Sequence, residues 1–343
     1  MRGKDETICT GYFVPVAGLR QRCVGARCSP SAPHDAICCK APDRRMTKAS
    51  KIAVIGLGSM GYGMAVSCLR AGHRTWGVDI NADAARRFQA EGGEAGDLPP
   101  DLDAVVVVVL NASQTEAVLF GENGVVAKLA AGAVVIACAT VPPTFAREME
   151  ARCAAAGVLY LDAPISGGAA KAAQGALSVM AAGSAAAFAA ARPMLAACAT
   201  TVFELGSTAG PGSAMKSVNQ LLAGVHIATM AEAMTFGMTQ GVEPAKFLEV
   251  ISKCAGTSWM LENRAPHIVE GDYTPKSQIN IWPKDLGIVL DVAKSAGFAT
   301  PITAAALQQY LAAVEMGLGG EDDAAIAKVY AHNAGLELPK PKT

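Results

Sequence analysis

The chain has 343 residues, room for two ordinary domains, with 51% hydrophobic and 5% aromatic residues and a net charge of −1 from 29 basic and 30 acidic side chains. So near a balance leaves no basic footprint for nucleic acid, and the longest apolar runs, AVVVVVL (104–110) and AGAVVIACA (131–139), fall short of the ~20 residues of a membrane span. Small molecules and copies of the chain itself remain as partners. Residues 1–45 hold Cys9, Cys23, Cys28, Cys38 and Cys39, scattered among Pro, Arg and Ser. Their spacing argues against a zinc module and no apolar leader follows the charged start, so the segment reads as a disordered extension ahead of Met46, with no metal. Cys68, Cys138, Cys153, Cys198 and Cys254 lie in apolar patterns and read as buried thiols of a reducing compartment.

From Lys51 the elements follow a clear order. KIAVI is an apolar strand, and Gly56, Leu57, Gly58, Ser59, Met60 and Gly61 make a G-x-G-x-x-G turn into an amphipathic helix. Strand, glycine turn and helix together form a dinucleotide-binding unit, in which backbone N–H groups at the helix start receive a pyrophosphate. The next strand, RTWGVDI, ends on Asp79, 18 positions past Gly61. A carboxylate there accepts a ribose 2′-hydroxyl and repels a 2′-phosphate, which favours NAD over NADP, with Arg86 and Arg87 further along a helix. Strands then read at 104–110, 133–138, 158–162, 177–182 and 201–205, with helices at 143–156 and 185–196. Near Gly212 the pattern becomes helical throughout, at 212–240, 244–253, 284–296, 301–317 and 322–334. The fold class is therefore α/β, a Rossmann-type doubly wound dinucleotide-binding domain (51–211) followed by an all-α domain (212–337).

The chemistry concentrates where these two halves meet. A helix starting near Gly212 puts Lys216 in its first turn on an otherwise apolar face, against the helix dipole. WPKDL repeats the oddity: Pro283 reads as a first helical residue and Lys284 follows it. DAPISGG closes a strand with Ser166, Gly167 and Gly168, a hydroxyl and open backbone N–H groups that suit a carboxylate. Leu110, Asn111 and Thr140 lie at strand ends, where the nicotinamide half of a cofactor would sit in an open α/β sheet. Trp259 reads either as a substrate cover or as a core or interface side chain.

GLGSMG, DAPISGG, GPGSAMKSVNQ and WPKDL stand in the order and spacing of the β-hydroxyacid dehydrogenase family, which the chain resembles over about residues 51–335. The resemblance implies NAD-dependent oxidation of a short hydroxylated carboxylic acid. L-threonate is the first candidate, and 3-hydroxyisobutyrate or tartronate semialdehyde chemistry the alternative; a silent dinucleotide sensor is the non-enzyme alternative. It makes Lys216 the catalytic acid/base and Lys284 a contact to both substrate and nicotinamide ribose. Ser166, Gly167 and Gly168 become the carboxylate site, Leu110, Asn111, Thr115 and Thr140 cofactor contacts, and the protein a cytoplasmic homodimer or homotetramer. The chain departs from the family pattern twice. Gln220, preceded by Asn219, stands where an Asn is usual, which leaves open which amide meets substrate; Leu110-Asn111 replaces Leu-Pro. If Lys216 is a neutral amine in an apolar cleft, it can take a hydroxyl proton as hydride leaves the carbon.

Overall fold

A computed structural model describes residues 49–94 and 96–341; the N-terminal extension expected for 1–45 lies outside them. The strands are β1 (Lys51–Ile55), β2 (Arg74–Val78), β3 (Ala104–Val107), β4 (Val134–Ala137), β5 (Leu159–Asp162), β6 (Ile165–Ser166), β7 (Leu177–Gly183) and β8 (Ala199–Glu204). They form one sheet in the order β2-β1-β3-β4-β5-β7-β6, with β8 paired to β7. β1 to β5 run parallel, whereas β7 is antiparallel to β5 and β6. The parallel sheet expected from the apolar runs therefore holds for the first five strands only. Strand direction leaves no trace in hydrophobicity when both faces are covered.

Between the strands lie α1 (Gly61–Arg70), α2 (Ala82–Ala90), α3 (Ala112–Phe120), α4 (Pro143–Ala155), α5 (Gly168–Gln174) and α6 (Ala185–Cys198). They cover both faces. Ile52, Val54, Val106 and Ile136 pack on α1 and α6 on one side, and Ala53, Val105, Val107 and Val135 pack toward α4 on the other. The strand order reverses between β1 and β3. The C-terminal ends of β1 to β5 share one edge of the sheet, as the ladder shows in Gly56 N–H to Val78 O (2.8 Å), Val108 N–H to Ile55 O (2.8 Å) and Ala163 N–H to Ala137 O (2.9 Å). That edge is where an open doubly wound sheet binds ligands.

After β8 the chain is helical: α7 (Pro211–Thr239), α8 (Pro244–Ile251), α9 (Trp259–Glu270), α10 (Ile281–Ser295), α11 (Pro301–Glu315) and α12 (Ala327–Ala334). α7 is long and apolar enough by composition to cross a membrane, yet it is the central helix of this half. Its Ile227, Met230, Ala231 and Met234 are buried with Leu261, Trp282, Leu286 and Tyr310 from α9, α10 and α11. Gly224 permits the approach of α10, since a Cβ there would meet Trp282 and Leu286 at 2.9 Å. Trp282 and Tyr310 stack with centroids 5.6 Å apart, and the Tyr310 hydroxyl donates to Gly224 O (2.8 Å). One expectation fails here: Cys254 follows the short α8 on a loop and is exposed, whereas Cys68, Cys138, Cys153 and Cys198 are buried.

Candidate functional site

The glycine loop separates its three glycines by what surrounds them. Gly56 has φ +96°, and a Cβ there would lie 2.2 Å from Val108 O. A Cβ on Gly61 would lie 1.8 Å from Gly56 O. Both are held by the protein's own packing. Gly58 has nothing within 4 Å of its would-be Cβ, so the glycine there leaves an open cradle that a side chain would fill, facing out of the molecule. The cap of α1, Met60, makes no side-chain hydrogen bond to the first turn. Tyr62 N–H in that turn donates to Gly58 O (3.1 Å), and the neighbouring N–H groups of the loop and helix start are what an anion at the positive end of the helix would meet. Leu57 is buried beneath the loop and Ser59 is exposed.

Asp79 follows β2 and braces this loop. Its Oδ2 accepts from Leu57 N–H (2.6 Å) and its Oδ1 from Asn81 N–H (2.7 Å). Each carboxylate oxygen has a further lone pair for a hydroxyl donor. Arg86 is paired with Asp83, and Arg87 lies over the Tyr62 ring at 3.8 Å, so both guanidinium groups are already engaged. At the end of β3, Leu110 is half exposed and its N–H donates to Gln114 Oε1 (2.9 Å). Asn111 caps α3 through Gln114 N–H (2.8 Å). Thr115 is buried and spends its hydroxyl on Asn111 O (2.8 Å), while Thr140, past the end of β4, is half-buried.

A second group of residues is organised by Asp162 at the end of β5. This buried carboxylate accepts from Gly210 N–H (2.9 Å), Ser213 N–H (2.9 Å) and the Ser213 hydroxyl (2.7 Å), all at the start of α7. Burial raises its pKa, and the Ser213 hydroxyl and backbone donors oppose the rise. Gly212 lets the helix sit flush on the sheet, because a Cβ would lie 2.5 Å from Met180 O and 2.7 Å from Asp162 O. Anchored this way, α7 turns Lys216 inward, and its Nζ donates to Ile165 O (2.9 Å), beside Ser166. Gly167 and Gly168 follow with φ of +134° and +73°, turning the backbone at the start of α5.

α7 begins at Pro211, so Lys216 is its sixth residue and lies in the second turn, not the first. The dipole acts mainly within the first turn. The unusual state of this lysine comes instead from burial, which lowers its pKa to about 8; Asp285 opposes the shift and Lys284 adds to it. α10 likewise starts earlier than expected, at Ile281, making Pro283 its third residue and Lys284 its fourth. Lys284 forms an ion pair with Asp285 Oδ1. Gln220 donates through Nε2 to Asp285 Oδ2, and Asn219 donates through Nδ2 to Gln220 Oε1 (2.9 Å). Lys216, Asn219, Gln220 and Lys284 thus belong to one cluster around Asp285, which is 2% exposed. Trp259 stands apart as the first residue of α9, 56% exposed, and so is no core side chain.

Asp162 escaped the sequence reading as an individual residue, and Asp285, whose charge suits the start of a helix, escaped it as a member of the site. Each sits inside a quoted motif, and the available signal was an acidic residue closing an apolar strand or entering an apolar helix face. Such a group needs partners once buried.

Known proteins align with this arrangement over both halves. Residues 51–206 match the NAD binding domain of 6-phosphogluconate dehydrogenase, and residues 210–330 match the NAD-binding domain of NADP-dependent 3-hydroxyisobutyrate dehydrogenase. An L-threonate dehydrogenase of Cupriavidus necator is 50% identical over 292 residues, covering 84% of this chain and 97% of that protein. An L-threonate dehydrogenase of Haemophilus influenzae is 46% identical, covering 84% and 97%. Among solved structures, a 3-hydroxyisobutyrate dehydrogenase from Salmonella typhimurium superposes with a TM-score of 0.78 at 44% identity, over 82% of this chain and 99% of that one.

Proposed function

The chain belongs to the β-hydroxyacid dehydrogenase family, and from that premise we propose that it oxidises L-threonate to its 2-oxo acid with NAD, using Lys216 as the acid/base. The observation that carries the reading is the buried amine of Lys216, with its pKa lowered to about 8, beside the Ser166–Gly168 turn. The L-threonate dehydrogenases at 50% and 46% identity supply the substrate.

The cofactor is NAD, and the residues fit it. The open cradle at Gly58 and the start of α1, which has no side-chain cap, suit a pyrophosphate, and Asp79 suits a ribose diol while Arg86 and Arg87 are engaged elsewhere. Leu57, Ser59 and Met60 complete that loop. Leu110, Asn111 and Thr140 are assigned to the nicotinamide side by their place past the ends of β3 and β4, whereas Thr115, buried in α3 with its hydroxyl on Asn111 O, acts there only by supporting Asn111. Bound NAD supplies the acceptor for the hydride that leaves the alcohol carbon.

The protein's part is binding, orientation and proton transfer. Ser166 Oγ and the N–H groups of Gly167 and Gly168 hold the substrate carboxylate, which fixes the alcohol carbon next to Lys216. Neutral Lys216 takes the hydroxyl proton at Nζ; in the reverse direction the ammonium returns it to the carbonyl oxygen. Ile165 O holds Nζ in place through both states, since either form of the amine can donate to it. A pKa near the working pH keeps both forms populated. Lys284, held by Asp285, adds positive charge near the ribose and the substrate.

An exposed apolar stripe on α7, formed by Met215, Val218, Leu222 and Phe236, supports a homodimer or homotetramer. The test is NADH formation near pH 8 with L-threonate, D-threonate, 3-hydroxyisobutyrate and D-glycerate offered separately to the wild type and Lys216→Ala. Turnover of L-threonate that disappears in the variant is the expected result. Preference for 3-hydroxyisobutyrate replaces the substrate and keeps the mechanism; turnover by Lys216→Ala at the wild-type rate overturns the lysine's role.

A further inference from the structure

The cluster around Asp285 has a direction, and that direction follows from donor and acceptor chemistry alone. A carboxylate can only accept, so Gln220 must turn its amide nitrogen toward Asp285 Oδ2, as it does. The Gln220 carbonyl is thereby forced toward Asn219, and it too can only accept. Asn219 must answer with its own nitrogen, and its Nδ2 donates to Gln220 Oε1 at 2.9 Å. The two amide orientations are therefore dictated in sequence from a buried charge, although amide nitrogen and oxygen are otherwise interchangeable in shape.

What remains at the end of the chain is Asn219 Oδ1, which accepts no hydrogen bond among the described residues. Asn219 is half-buried and lies one helical turn from Lys216, hence on the same side of α7. Gln220 is buried, with its oxygen and one of its N–H groups already engaged. Resting on the reading of this site as a hydroxyacid dehydrogenase, we infer that Asp285 is a positioning residue that acts through Gln220 to hold Asn219 Oδ1 toward the substrate as an acceptor for a hydroxyl that is not oxidised.

The consequence is selection by polarity. A carbonyl oxygen fixed in this orientation bonds a substrate hydroxyl, is left unpaired by a methyl or methylene in the same place, and repels a second carboxylate. A site built to bond a hydroxyl rejects the analogue lacking it far more strongly than an apolar pocket distinguishes one methylene. The class of substrate is thus a polyhydroxylated monocarboxylic acid, and Asn219, rather than Gln220, is the amide that meets it.

The experiment compares kcat/KM for L-threonate with that for 2,3-dihydroxybutanoate and 2,4-dihydroxybutanoate, which lack one or other of the two remaining hydroxyls. All three acids share the proton-transfer step, so the ratio removes any change in Lys216 itself. Wild type should prefer L-threonate over one of the two by about 30-fold or more. Asn219→Leu, Gln220→Met and Asp285→Leu, each of which removes a donor or acceptor of the relay, should each cut that ratio to about threefold or less, chiefly through KM for L-threonate. Gln220→Met matters most, because it breaks the relay while leaving Asp285 and Lys284 in place. NADH binding by fluorescence confirms that each variant is folded. A ratio that survives in Gln220→Met or in Asp285→Leu overturns the relay, and so does a wild-type enzyme that oxidises L-threonate with no preference over either analogue. Wild type that oxidises none of the three acids overturns the functional reading itself, and the relay with it.

Discussion

The two walls of the proposed site, the sheet edge with its glycine loop and the start of α7 with α10, are built on different principles. On the sheet side, position is set by backbone sterics. Gly56 and Gly61 are there because a Cβ would run into Val108 O and Gly56 O, and the loop follows strands whose register is fixed by continuous parallel ladders. On the helical side, position is set by buried polar bonds across long sequence separations. Asp162 holds Ser213 51 residues away, and Asp285 is held by Gln220 across 65. In the proposed reading the first wall is the seat of the cofactor. The second buries an amine, and burial lowers its pKa to about 8. Changes on the first wall should therefore register in stability and cofactor affinity, and changes on the second in chemistry and substrate choice.

The largest effect expected is on the second wall. Lys216→Met keeps the length of the side chain and removes the base, so kcat should fall by about 1,000-fold while NADH affinity moves less than about threefold. Stability should hold or rise slightly, because the substitution relieves the burial of an ionisable group. A loss of NADH binding on the same scale as the loss of kcat would show that the two walls are not separable. The same amine fixes the direction of the pH profile for oxidation. With a pKa of about 8, Lys216 is an ammonium at pH 6.5 and increasingly neutral above 8, so kcat/KM should rise with pH and level off above that value.

Gly56→Ala should have the largest effect on the first wall. It places a Cβ against Val108 O at a backbone φ of +96°, and the cost should be about 2–4 kcal/mol of stability with loss of NADH binding. Asp162→Ala crosses between the walls, since it strips the partners from two backbone N–H groups and one hydroxyl at the start of α7. About 2–3 kcal/mol of stability should go with it, and kcat should fall further than NADH affinity as Lys216 loses its anchor. Burial raises the folded-state pKa of Asp162, so the proton is held more tightly in the folded protein. The wild type should then lose some stability as pH rises from below the unfolded aspartate value through the raised one. Asp162→Asn should flatten that part of the curve.

The difference between the walls also governs what could be read from the sequence. The glycine loop, Asp79 and the first five strands were legible because a steric requirement and an apolar run are both local signals. The antiparallel β7 was not, since strand direction is decided by tertiary pairing. α9 was missed because Arg264, Pro266 and His267 interrupt its apolar period. Two of these are polar groups that the fold pairs inside, Arg264 with Asp323 and His267 Nδ1 with Asp322 at 2.8 Å. Lys216 was found by its oddity but assigned to the wrong turn, although Pro211 marked the true start of α7. Its surroundings depend on Asp162, Gln220 and Asp285, and nothing local in the sequence says that these meet.

The smallest expected effect on stability is also the sharpest test of how the first wall works. Gly58 has no neighbour within 4 Å of a would-be Cβ, so Gly58→Ala meets no protein atom and its melting temperature should stay within about 1–2 °C of wild type. If the middle glycine is present for a ligand, the new methyl should still lower NADH affinity, by about tenfold, because it stands where the pyrophosphate approaches the backbone. Unfolding and NADH titration on the same preparation separate the two. Unchanged stability with weakened NADH assigns Gly58 to the cofactor. Unchanged affinity would mean that the pyrophosphate lies elsewhere on the loop, and the cradle at the start of α1 would have to be assigned to Ser59 and Met60 instead. That outcome would leave Gly56 and Gly61 as packing residues and remove the cofactor from the reasons this loop is rich in glycine.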